Sequence, residues 1–168
     1  KHEALPKDIE WHFIGHLQTN KVKYIAPYVS LVHAVDSLRL LQEINRQALR
    51  CGRVIPCLLE LHIAQEESKY GFTPEACEAM LAAGEWKALT GVEITGLMCM
   101  ASNTDDEAQI RREFHLAHKL FLRYKSLYFA DKEYFKECSW GMSHDYPIAV
   151  EEGATLVRVG SYIFGERI

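Results

Sequence analysis

Two small-residue turns and one arginine carry the most distinctive chemistry in this sequence. Gly141-Met-Ser143 follows one apolar stretch, Gly160-Ser161 follows another, and Arg158 lies between them. Glycine and serine at strand-to-helix turns bring backbone N–H groups and hydroxyls against a bound anion, and the N-terminus of a following helix adds a favourable dipole. In a (β/α)8 barrel the loops after strands seven and eight are the usual seat of a phosphate. The same residue types are common in any strand-to-helix turn, so an ordinary turn is the competing reading. Arg158 interrupts the apolar run 156–159. A buried guanidinium is costly without acceptors, so Arg158 has either a structural ion pair inside the fold or a ligand to meet.

Other candidates are the polar residues at strand ends, which lie on the functional face of any parallel α/β fold. They are His12, Gly15 and His16, with Asn20 and Lys21 nearby, then Asp36, Ser37 and His62. Met98 to Ser102 complete the set. His115 and His118 have a spacing that can hold a metal on a helix, but they equally suit a solvated helix face. His144 and Asp145 read either as a base with its orienting carboxylate or, more simply, as a helix cap by Asp145. Lys69 falls in a charged loop. No cysteine has a histidine at a spacing that suggests a thiolate nucleophile.

The elements that position these residues alternate. Apolar runs at 9–15, 31–35, 56–63, 92–100, 137–141 and 155–160 read as strands, several of them buried on both faces. Between them, helices are expected over 18–25, from the caps Asp36 and Ser37 to Arg50, from Thr73-Pro74 to Gly84, over 105–128, and over 145–152. A further turn or helix begins near Tyr162. In the long helix, Ile110, Phe114, Ala117, Phe121 and Leu122 are assigned to the buried stripe.

Composition narrows the class. The 168 residues suffice for one domain with a core, and a single domain over 1–168 is expected. The net charge of −4 gives no invitation to nucleic acid or an anionic membrane. No apolar run reaches the roughly 18 residues of a membrane span. The five cysteines show no paired spacing, which suits reduced thiols and a cytoplasmic protein.

Strict alternation implies parallel strands joined by right-handed crossovers. No G-x-G-x-x-G motif follows a strand, against a dinucleotide-binding sheet. Six strand–helix units are present and a barrel needs eight. The expectation is therefore a (β/α)8 TIM-type barrel whose first two units precede this sequence.

Five motifs in register sharpen this reading: 11–21 (WHFIGHLQTNK), 67–71 (ESKYG), 96–98 (GLM), 141–145 (GMSHD) and 157–167 (VRVGSYIFGER). Together they closely resemble the YggS/PROSC family of pyridoxal phosphate homeostasis proteins. The resemblance runs from about Glu10 to Arg167. It implies a barrel like the alanine racemase N-terminal domain and pyridoxal 5′-phosphate (PLP) as the cofactor. By the same resemblance Ser143, Gly160 and Ser161 hold the phosphate, Arg158 faces the pyridine nitrogen, and His12 and Met98 line the barrel mouth. A cation at that nitrogen keeps it unprotonated and weakens the ring as an electron sink. The family's Schiff-base lysine lies on its first strand, and no lysine here takes that place. It is expected upstream. The implied role is a PLP carrier without committed turnover, monomeric, and possessing PLP-dependent enzymes as clients. An amino-acid racemase is the alternative.

Overall fold

The computed structural model describes residues 1–67 and 70–165. Lys69, and Arg167 at the end of the last motif, lie outside the described residues. Six strands form one sheet: β1 (Trp11–Phe13), β2 (Val29–Val35), β3 (Ile55–Leu61), β4 (Val92–Cys99), β5 (Glu137–Met142) and β6 (Leu156–Arg158). All neighbours are parallel, and the spatial order follows the chain from β1 to β6. A doubly wound sheet reverses its order at a switch point. Without a reversal, every right-handed crossover falls on the same face. Helices α1 (Val22–Ile25), α2 (Leu38–Arg50), α3 (Pro74–Ala83), α4 (Glu107–Tyr128) and α5 (Tyr146–Glu151) lie in the five crossovers, and α6 (Ser161–Phe164) follows β6. The sheet rolls around its other face into an open barrel of six strands, the TIM-type fold expected.

The two faces of the sheet have different cores. The outer one is large and joins Val32, Leu59, Leu97 and Trp140 of the strands to Ile44, Phe114 and other helix residues. The inner one is small: Leu31, Ala34, Leu58 and Met98, with Leu156 packed against them. That apolar layer lines the lumen beneath the strand ends where polar residues begin.

Local signals place the helices. The Ser37 hydroxyl accepts from the Leu40 N–H, and the Thr73 hydroxyl from the Ala76 N–H, as N-caps do. Asp106, one residue beyond the expected start, caps α4 through the Gln109 N–H. The segment 18–25 divides into a 3₁₀ turn (Thr19–Lys21) and the single-turn α1.

Two expectations need correction. Leu122 is not on the buried stripe of α4 but 53% exposed. The buried apolar series is Ile110, Phe114, Ala117, Phe121 and Tyr124, with Glu113 buried beside it. It keeps the three- and four-residue steps of one helix face, which a step of one residue from Phe121 to Leu122 leaves. Asp145 occupies the N-cap position of α5, yet its carboxylate does not cap it. Instead Oδ1 accepts from the Met142 N–H at 2.6 Å and closes the turn after β5.

Candidate functional site

Residues two apart on a strand share a face. Leu58 and Glu60, and Leu156 and Arg158, therefore point into the lumen together, and His33 of β2 joins them through its contacts to His12 and Ser139. A continuous polar chain crosses the lumen. Arg158 Nη1 donates to the Ser139 carbonyl at 2.8 Å and to the Ser139 hydroxyl at 2.6 Å, and Nη2 donates to the Cys99 carbonyl at 2.9 Å. The Ser139 hydroxyl lies 2.8 Å from His33 Nδ1, and His33 Nε2 lies 3.0 Å from His12 Nδ1. Arg158 thus has no ion pair among the described residues. Its acceptors are carbonyls and a hydroxyl.

The lumen is electrostatically asymmetric. Burial, then the neighbouring His12 and the Arg158 cation, lower the His33 pKa to about 3, so its imidazole is neutral. Burial, reinforced by Asp36, raises Glu60 to about 7 against the pull of Arg158. Burial also lowers Arg158 from its ordinary value, but a guanidinium stays protonated regardless. The buried thiols of Cys77 and Cys138 are pushed up to about 12, and those of Cys57 and Cys99 are raised too. None of these four is a thiolate near neutrality.

Above the chain, the two turns meet. The Gly160 N–H donates to the Ser143 hydroxyl at 3.2 Å. Asp145, only 2% exposed, holds the first turn through Met142. A Cβ built on Gly160 meets nothing within 4 Å, so the space before the second turn is open. Among the described residues, the N–H groups of Ser161 and Tyr162 have no acceptor in the chain. Gly141 has a different reason to be glycine. Its φ is +101°, and an added Cβ would lie 2.6 Å from the Ala149 Cβ. It allows α5 to pack on β5.

The remaining candidates separate. His12 is exposed, and contrary to its expected place at the barrel mouth it lines a cavity of about 400 Å³ bounded by the strand starts, among them Ser30, Pro56, Glu137 and Leu156, at the end of the barrel away from the two turns. Met98 is 1% exposed, closed off in the inner apolar layer below the mouth. His16 sits 3.5 Å from Asp36 and stacks on the Tyr70 ring at 3.9 Å, bringing three strand-end loops together at the rim. His115 pairs with Glu152, whereas His118 packs beside Trp140, so the two hold no common metal. Among the described residues, no cluster of three His, Cys, Asp or Glu is arranged for one. His144 Nε2 lies 3.3 Å from Asp145 Oδ2, half exposed at the turn.

His33, Glu60 and Ser139 were not singled out from the sequence. The signal was the one that marked Arg158: a polar residue inside a strand otherwise buried on both faces.

Comparison with known proteins fits this geometry. Residues 3–168 match the alanine racemase N-terminal domain. A pyridoxal phosphate homeostasis protein of Aquifex aeolicus is 38% identical over 99% of this chain and 72% of its own length. The chain belongs to this family of pyridoxal phosphate homeostasis proteins. A second relative of that name, from Deinococcus radiodurans, is 41% identical over 92% of the chain and 67% of its own length. Among solved structures, PipY of Synechococcus elongatus with PLP bound superposes with a TM-score of 0.83. It is 32% identical, with 98% of this chain and 74% of that one covered. Its PLP-free structure gives 0.86 at 33% identity, covering 97% and 74%. An alanine racemase of Clostridium difficile, at 16% identity and a TM-score of 0.71 over 95% of this chain and 41% of that one, shares the fold.

Proposed function

We propose that this chain binds pyridoxal 5′-phosphate and serves its intracellular supply as a carrier with no committed turnover. The observation that carries this reading is the juxtaposition of Arg158, fixed in the lumen by three acceptors, with the open cup of Ser143, Gly160 and Ser161. The relatives' name and PLP-bound PipY support the choice of ligand.

The residues present fit that ligand. The free N–H groups of Ser161 and Tyr162, with the Ser143 and Ser161 hydroxyls, hold the phosphate. Hydrogen bonds to a charged group contribute about 1.5–3 kcal/mol each. Arg158 uses three of its five N–H groups on the chain, which leaves donors for the ring nitrogen. His12 borders the lumen from the end away from the cup, and Met98 sets its apolar floor. Bound PLP supplies a carbonyl-reactive electron sink. Arg158 keeps a donor at the ring nitrogen and so holds it unprotonated, which suits storage better than turnover. No helix among the described residues is long and apolar enough to cross a membrane. We place the chain in the cytoplasm as a monomer that passes PLP to dependent enzymes.

Equilibrium dialysis and absorbance titration with PLP test the reading. Saturable binding of one PLP per chain, with the phosphate-free analogue pyridoxal held far more weakly, is the expected result. Absence of binding overturns it. Amino-acid racemisation by the PLP-loaded protein, sustained above about 1 per second, overturns the carrier role.

A further inference from the structure

We propose that Arg158 polarises the buried chain Ser139–His33–His12 in one direction. His33 and Ser139 are then positioning residues, and His12 presents an N–H donor to the lumen. This deepens the function proposed above and rests on it for the identity of the ligand. The polarity itself follows from the chain's own atoms.

The argument starts from Arg158, which can only donate. Its Nη1 donates to the Ser139 hydroxyl oxygen. Ser139 is fully buried, and among the described residues its hydroxyl has one other neighbour in range, His33 Nδ1. If Ser139 also accepted from His33, its own proton would be left buried without a partner, a penalised arrangement. Ser139 therefore donates to His33 Nδ1. His33 is 2% exposed and its neutral ring carries one proton, which must lie on Nε2. That N–H donates to His12 Nδ1 at 3.0 Å. His12 in turn carries its proton on Nε2, at the exposed end of the chain. Each step is the unique assignment that satisfies every buried atom.

The consequence is specificity. The β6 side of the lumen offers the spare N–H groups of Arg158, and the β1 side offers His12 Nε2–H. A ligand is favoured when it presents acceptor atoms on both sides, as a pyridine nitrogen and a ring oxygenate do. His33 is the joint: its two nitrogens accept from Ser139 and donate to His12 about 2.2 Å apart, a span that a glutamine amide reproduces with the same polarity.

Long-range ¹⁵N–¹H correlation NMR of the full chain labelled at histidine, without PLP, reads the tautomers near neutral pH. His33 should be the neutral Nε2–H form, its Nδ1 accepting from Ser139. A proton on His33 Nδ1 overturns the proposal, whatever the chain does with PLP. The Ser139→Ala variant, checked for folding by circular dichroism, should shift the His33 Nδ1 resonance away from its hydrogen-bonded position. An unchanged resonance overturns the chain. His33→Leu should weaken PLP binding about tenfold, as loss of one charge-assisted contact does, and His33→Gln should restore most of it. Equal loss in both variants overturns the positioning role. Tautomers as assigned in a chain that binds no PLP support the polarity and overturn the function proposed above.

Discussion

His33 and Ser139 are 106 residues apart in sequence and their side chains meet at 2.8 Å. They stand on β2 and β5, with β3 and β4 between them. In a flat sheet three strand spacings come to about 14 Å, beyond the reach of an imidazole and a hydroxymethyl. The contact exists because the sheet is rolled. It also joins both ends of the half-barrel: Arg158 on β6 reaches Ser139, and His33 reaches His12 on β1.

The phosphate cup predicts graded losses. Ser143→Ala and Ser161→Ala should each weaken PLP retention by about 1.5–3 kcal/mol, the loss of one hydrogen bond to a charged group. Dissociation constants from equilibrium dialysis check this, and unchanged affinity in both variants refutes the cup.

Two glycines should respond in opposite ways. Gly141→Ala forces a Cβ against Ala149 at a φ of +101° and should cost about 2 kcal/mol or more of stability. Gly160 has a φ of −124° and open space before it. Gly160→Ala should leave the melting temperature close to that of the parent while weakening PLP binding, because the added methyl enters the space the phosphate needs. Thermal melts and PLP titrations separate the two outcomes.

Arg158→Leu removes the donor to two buried carbonyls and to the Ser139 hydroxyl. Loss of a network of this kind should destabilise the fold by about 3 kcal/mol, read as a lower urea midpoint. Arg158→Lys keeps one charge but not the fork, so it should recover only part of that loss.

Stability should depend on pH through two groups of opposite sign. His33 binds its proton with an ordinary pKa of 6.5 when unfolded and about 3 in the fold. The unfolded state therefore binds more protons in that window. The contribution is complete above 6.5 and lost as pH falls toward 3. Glu60 goes from 4.5 to about 7, so the fold binds more protons, and its contribution is complete below 4.5 and lost as pH rises through 7. Relative to the parent, His33→Gln should gain in melting temperature as pH falls below 6.5. Glu60→Gln should gain as pH rises from 4.5 to 7. Melting curves across that range check both signs.

The sequence by itself determined the parallel alternation, because apolar runs buried on both faces, capped helices and glycine turns are local and periodic. It marked Ser37 and Thr73 as caps, and it marked Arg158 as a polar residue in an apolar strand. The five motifs located the family. The sequence could not say what Arg158 touches, since its acceptors belong to β4 and β5 and depend on how far the sheet rolls. Tertiary structure alone decided that Gly141 serves packing while Gly160 faces open space, and that Asp145 closes a turn in place of capping α5. It also decided that His12, His33 and Ser139 form one chain. Side-chain parity within a strand is a local property, whereas closure across the lumen is a global one, and the site lies where the two coincide.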